Sequence, residues 1–137
     1  MTISKAINEI LSEYEGLQID TDHIADGSDQ YGLFKSPARD VQRFNDGSYT
    51  VTETYQFFAK YDSNSDSERM EADEWLEDLT YWADDYSYNY EFPEIGKNRQ
   101  IQDIAVVGVP YPMEEDNRIT LYQMQLQITY VREREEL

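Results

Sequence analysis

The chain has 137 residues, enough for one domain with an apolar core. It contains no cysteine, which excludes disulfides and thiolate metal sites, and its single histidine, His23, makes a histidine-based metal site or proton relay hard to build within one subunit. Its 29 acidic and 11 basic residues give a net charge of −18, which argues against tight binding to nucleic-acid phosphates.

An aromatic content of 14% argues against disorder, since disordered acidic chains are usually poor in aromatic residues. There is no long apolar run, and the first residues lack the apolar core of a signal peptide. The expectation is a soluble protein made in the cytoplasm, with no membrane partner.

Residues 3–14 read as a helix. Ile3, Ala6, Ile7, Ile10, Leu11 and Tyr14 form a single stripe, with Thr2 as N-cap and Gly16 as stop signal. Leu17–Ile24 reads as a short strand, Ala25–Gln30 as a loop, and Tyr31–Lys35 as another short strand ended by Ser36-Pro37. Asp40–Phe44 and Tyr49–Tyr61 then flank Asn45-Asp46-Gly47. An NG or DG step between strand patterns is a strong hairpin signal, because these residues accept the positive φ that hairpin turns need. On the second arm Tyr49, Val51, Tyr55 and Phe57 share one face, with Glu53 the exception. Thr50, Thr52, Thr54 and Gln56 share the other. Glu53 is expected to pair with Arg43 across the hairpin.

A polar loop, Asp62–Ser67, leads into a helix expected over Glu68–Asp85, with Ser65 and Glu68 at capping-box spacing. Ala72, Trp75, Leu76, Leu79, Trp82, Ala83 and Tyr86 form its apolar stripe, and the tryptophans are expected to anchor it on a sheet. In Tyr86–Phe92 the period changes to two. This piece reads as extended, either an edge strand or a tyrosine-rich contact surface of the kind enriched at interfaces. Ile101–Val109 is apolar on both faces and reads as a central strand. Pro110–Asn117 reads as a connector, and Arg118–Arg132 as a long antiparallel strand with one polar face. Glu133–Leu137 is a charged tail. Paired strands with helices between them imply one α+β domain over residues 1–137, with an antiparallel sheet packed on one face by two helices.

Candidate chemistry is sparse. Asp62-x-Asn64-x-Asp66 begins like a calcium loop, but Ser67 stands where glycine is needed and Asp73 where a bidentate glutamate belongs. A polar helix cap is the better reading. No nucleophile elbow, phosphate loop or dinucleotide fingerprint occurs, so no catalytic residue, cofactor or metal is assigned and the chain is not expected to be an enzyme. Between Asp62 and Glu94 lie 12 acids and one base, Arg69. This run is a solvated helix face, a mimic of DNA, or the wall of a channel through which DNA slides without sticking.

The stretch from Ala38 to Asp85 resembles a family of short tailed-phage and prophage proteins of Gram-positive bacteria, minor capsid proteins of the tail terminator (tail completion) type. The similarity rests on the order of several motifs: Pro37, Arg43, Asp46 and Gly47 at the hairpin; Tyr55, Gln56, Phe57, Phe58 and Ala59 in the aromatic strand; Trp75, Leu76 and Glu77 in the helix; Phe92, Pro93 and Glu94 in the loop; and Tyr122, Gln123, Gln125 and Tyr130 in the last strand. In order they span most of Pro37–Glu133. The tyrosine-rich 86–92 stretch departs from the basic, glycine-containing loop of the family. The resemblance implies a virion protein of the tail or neck, assembled in the host cytoplasm. It would be a subunit of a ring, hexameric by analogy, that caps the tail tube and meets the tail-tube protein and a head-completion or connector protein. It implies no catalytic residues. Candidate assembly residues are Phe44, Tyr49, Tyr86, Tyr88 and Tyr90. The alternative is an acidic DNA mimic that inhibits a nucleic-acid-binding protein.

Overall fold

The computed structural model describes residues 1–116 and 118–134. Of the expected charged tail, residues 135–137 lie outside the described residues, as does Asn117 at the end of the expected connector. In chain order the elements are α1 (Ile3–Ser12), β1 (Ile19–Thr21), β2 (Gln30–Arg43), β3 (Tyr49–Asp62), α2 (Asp66–Asp84), α3 (Tyr86–Asn89), β4 (Arg99–Asp116) and β5 (Ile119–Arg132). The strands form a five-stranded sheet in the order β1-β2-β3-β5-β4. The fold is α+β, with the helices packed on the sheet.

The helices start where local chemistry directs. The Thr2 side chain accepts from the Lys5 N–H, and Ser65 accepts from the Glu68 N–H at 3.2 Å, each satisfying a donor the helix leaves unpaired. The stripe Ile3, Ala6, Ile7, Ile10 and Leu11 is buried, as are Ala72, Leu76, Leu79 and Ala83 of α2. Against them the sheet presents Leu33 of β2, Val51, Tyr55, Phe57 and Ala59 of β3, and Tyr122, Met124, Leu126, Ile128 and Tyr130 of β5. The register explains the match. Val51 lies opposite Tyr130, Tyr55 opposite Leu126, and Phe57 opposite Met124, so both strands aim their apolar set at the helices. Trp75 and Trp82 are only partly buried. They close the rim of the core, with Tyr14 meeting both edge-to-face at 5.4 and 5.3 Å.

Four expectations are corrected. The sheet is mixed rather than wholly antiparallel, because β1 runs parallel to β2. A three-residue strand leaves little length to retrace, so the short stretch 22–29 suffices as the return. Second, Tyr31–Lys35 and Asp40–Phe44 are not separate strands. Ser36-Pro37 sits in a register irregularity between Lys35 and Arg39, and pairing with β3 resumes beyond it. Third, Ile101–Val109 is not central: β4 is an outer strand, and it runs through the expected connector to Asp116. Fourth, the 86–92 segment is not extended throughout, since Tyr86–Asn89 is a single helical turn.

The opposite face of the sheet carries Thr50, Thr52, Thr54 and Gln56 of β3 beside Gln125, Gln127 and Thr129 of β5. All are half-buried, and Thr52 and Thr129 share a hydroxyl hydrogen bond of 3.3 Å. No helix covers it. Near one end the stretch 22–29 folds over this face, held by Lys60 Nζ donating to the Ala25 carbonyl at 2.8 Å. Gly32 makes the approach possible, because a Cβ there would lie 2.4 Å from the His23 carbonyl oxygen.

Candidate assembly surfaces

The hairpin forms as expected, with a turn defined by its residues. The Gly47 N–H donates to the Phe44 carbonyl at 3.1 Å, and the Phe44 N–H donates to the Ser48 carbonyl at 2.9 Å. Gly47 alone of the turn residues has positive φ, at 90°, so this is a three-residue loop with a glycine bulge. Asp46 Oδ1 accepts from both the Ser48 N–H and its hydroxyl. These bonds, the hydroxyl foremost, hold the Asp46 carboxyl below the usual range.

The five candidate residues divide. Phe44 is exposed at the hairpin tip. Tyr49 is half-buried, its ring under the Arg43 guanidinium at 5.1 Å and its hydroxyl accepting from Arg132 at 2.8 Å. Tyr88 is 86% exposed and Tyr90 is exposed, whereas Tyr86 is 1% exposed and belongs to the core. Tyr86 continues the apolar stripe of α2 at helical spacing, and it stacks on Tyr90 at 5.1 Å and meets Phe92 and Trp82. Burial, with the charge of Glu13 second, pushes the Tyr86 phenol up to about 12. As an assembly residue Tyr86 is therefore corrected; Tyr88 and Tyr90 remain at the surface.

Glu53 does not pair with Arg43. Arg43 lies opposite Tyr49, while Arg39 is the register partner of Glu53. The Glu53 carboxylate accepts from the Tyr130 hydroxyl at 2.6 Å and from the Tyr55 hydroxyl at 3.3 Å. Burial and this bond push the Tyr130 phenol up to about 12, and burial raises Tyr55 still further. The one acid on the apolar face of β3 is thus satisfied by two tyrosines.

The register also sorts charge along the sheet. One row across four strands reads Arg43, Tyr49, Arg132 and Arg99. At the far end Asp62 pairs through Ile119 with Asp116, and Glu115 and Glu114 follow on β4. In a chain of net charge −18 the hairpin end is the basic end. The acids of α2 behave differently. Glu71, Asp73, Glu74, Glu77, Asp78 and Asp84 are exposed, and Arg69 is spent within the first turn on Asp66 and on the Ser63 carbonyl. This uses the Asp62-x-Asn64-x-Asp66 stretch as a helix entrance. His23 is exposed.

One surface was missed by sequence reasoning. Along β4, Val107, Val109, Tyr111 and Met113 are exposed, Val109 at 73%. A cleft of about 500 Å³ lies between α2 and β4, lined by Asp73, Glu77, Tyr81, Asp84, Val107 and Val109 among others. Asp84 Oδ1 accepts from the Val106 N–H at 2.8 Å and so fixes the strand to the helix. The signal was present in Pro110 and Pro112, which belong only on an outer strand or at bulges.

No protein-family model and no curated protein matches this chain.

Proposed function

We propose that the chain is a structural virion protein, a tail terminator or head–tail joining subunit that caps the tail tube by assembling into a ring. The observation that supports it most is the exposed apolar row Val107, Val109, Tyr111 and Met113 on the outer strand β4. A small soluble protein seldom leaves apolar side chains open along an outer strand unless something covers them. The exposed Phe44, Tyr88 and Tyr90 add further contact surface at the other end of the sheet. On this reading the partners are further copies of the chain, with a hexamer as the working number, the tail-tube protein, and a head-completion or connector protein. Location follows: the host cytoplasm during assembly, then the neck of the virion. Acids lining the lumen would repel phosphates and let a genome pass without tight binding.

The test is to mix the purified chain with polymerising tail-tube protein and image the product by negative stain. Rings at tube ends and tubes of arrested length are expected. Tubes of unchanged length without terminal density would overturn the reading.

The exposed acids of α2 favour a second reading, a DNA mimic that occupies a nucleic-acid-binding protein. It requires a monomer or dimer that displaces DNA from such a partner, and a competition binding assay separates the two.

A further inference from the structure

The sheet has two dissimilar open edges, and their chemistry is complementary. On the β4 side the cleft is lined by exposed apolar side chains, Val107, Val109 and Tyr81, and by acids, among them Asp73 and Glu77. On the β2 side, beyond the stretch that β1 covers, Arg39, Val41, Arg43 and Phe44 are all exposed. On one face of that edge Arg39, Val41 and Arg43 alternate, with the exposed Asp40 on the other face, in a chain where acids outnumber bases by 29 to 11. We propose that copies of this chain associate head to tail, the β2 edge and hairpin tip of one copy seating in the α2–β4 cleft of the next. This rests on the reading of the chain as a ring subunit and names its contact.

Three features direct the choice of a second copy as occupant. The charges match: two guanidinium groups meet two carboxylates, where most surfaces of so acidic a chain would repel one another. The apolar groups match too, Val41 and Phe44 against Val107, Val109 and Tyr81. The two sites also lie on opposite edges, separated by β3 and β5, roughly 14 Å at the usual strand spacing. No copy can close its own contact, so the association is heterologous and yields rings where the rotation closes. Side chains rather than backbone make the joint. Pro110 and Pro112 remove donors from β4, and its register shifts repeatedly between Val106 and Glu114. Asp84 takes no part, being held by the Val106 N–H.

The experiment uses two full-length variants. Arg39→Glu with Arg43→Glu reverses the edge, and Asp73→Lys with Glu77→Lys reverses the cleft. All four side chains are exposed, and circular dichroism confirms that each variant is folded. In light scattering at low salt, each variant alone should lose self-association on the order of 100-fold relative to wild type. An equimolar mixture should assemble again as alternating copies, through the intact edge and cleft at one joint and the charge-swapped edge and cleft at the next. The fourfold variant should recover association through the swapped charges. Wild type that stays monomeric to millimolar concentration, a variant that assembles alone like wild type, or a mixture that stays monomeric would each overturn the contact. Failure of the functional reading looks different: the mixture assembles, yet wild type leaves tail tubes uncapped. Capped tubes with a monomeric mixture would leave the function standing and remove this contact.

Discussion

The two faces of the sheet are built from the same strands and do opposite work. On β3, Val51, Tyr55, Phe57 and Ala59 point to the helices and are buried to the last few square ångströms. Their neighbours Thr50, Thr52, Thr54 and Gln56 point the other way and remain half-buried, with no helix over them among the described residues. Burial of apolar area stabilises the first set, whereas the second gains mainly from strand preference and cross-strand pairs. The difference teaches where to look for function. The covered face carries stability, and its tyrosine hydroxyls and its one acid satisfy one another. What remains available to a partner is the open face, the edges and the tips.

Substitutions probe that contrast, and the largest effect belongs to the covered face. Phe57→Ala should cost about 3–5 kcal/mol, while Gln56→Ala, one residue along, should stay within about 0.5 kcal/mol. Urea unfolding measures both, and equal losses would mean the faces are not so divided. Next comes the tyrosine segment. Tyr86→Ala should destabilise by about 3 kcal/mol and Tyr88→Ala by less than about 0.5 kcal/mol, because only the first ring is buried. Thermal melts that move together for the two variants would contradict the burial of Tyr86.

A smaller effect tests the place where the stretch 22–29 covers the open face. Gly32→Ala should cost about 1–3 kcal/mol, since the new methyl meets a backbone oxygen rather than a yielding side chain. Faster proteolysis within residues 22–29 would accompany it. The smallest effect is on pH. Tyr130 and Tyr86 titrate near 12 in the folded chain and near 10 when unfolded. The folded state therefore holds protons that the unfolded state has lost. Their stabilisation is complete below pH 10 and disappears as pH rises toward 12. Tyr130→Phe should flatten that alkaline decline in urea midpoints, and an unchanged slope would show that the Glu53–Tyr130 bond does not contribute to it.

Much of this was legible from residues alone, where the determinants are local. Thr2 and Ser65 mark helix starts because a side-chain oxygen reaches an unpaired N–H two or three residues on. Asn45-Asp46-Gly47 marks the turn because glycine takes positive φ without strain. The period-two pattern of β3 and β5 and the stripes of α1 and α2 fixed which side chains face inward. What depended on distant segments was not legible. Ile101–Val109 reads as a buried strand because apolar composition does not say how many neighbours a strand has. Only the pairing order puts β4 outside, with Val109 open to solvent. The pairing of Arg43 with Tyr49 rather than Glu53 was local too, since the three-residue turn with its glycine bulge sets that register. Tyr86 is the exception: two patterns overlapped on it, and its burial follows the helical stripe rather than the period of two. Local sequence determined the elements and their inner faces, through hydrogen bonds and sterics within a few residues. The tertiary structure alone decided which edges stay open, and with them the surfaces this protein offers to others, because an edge is defined by the strand that is not beside it.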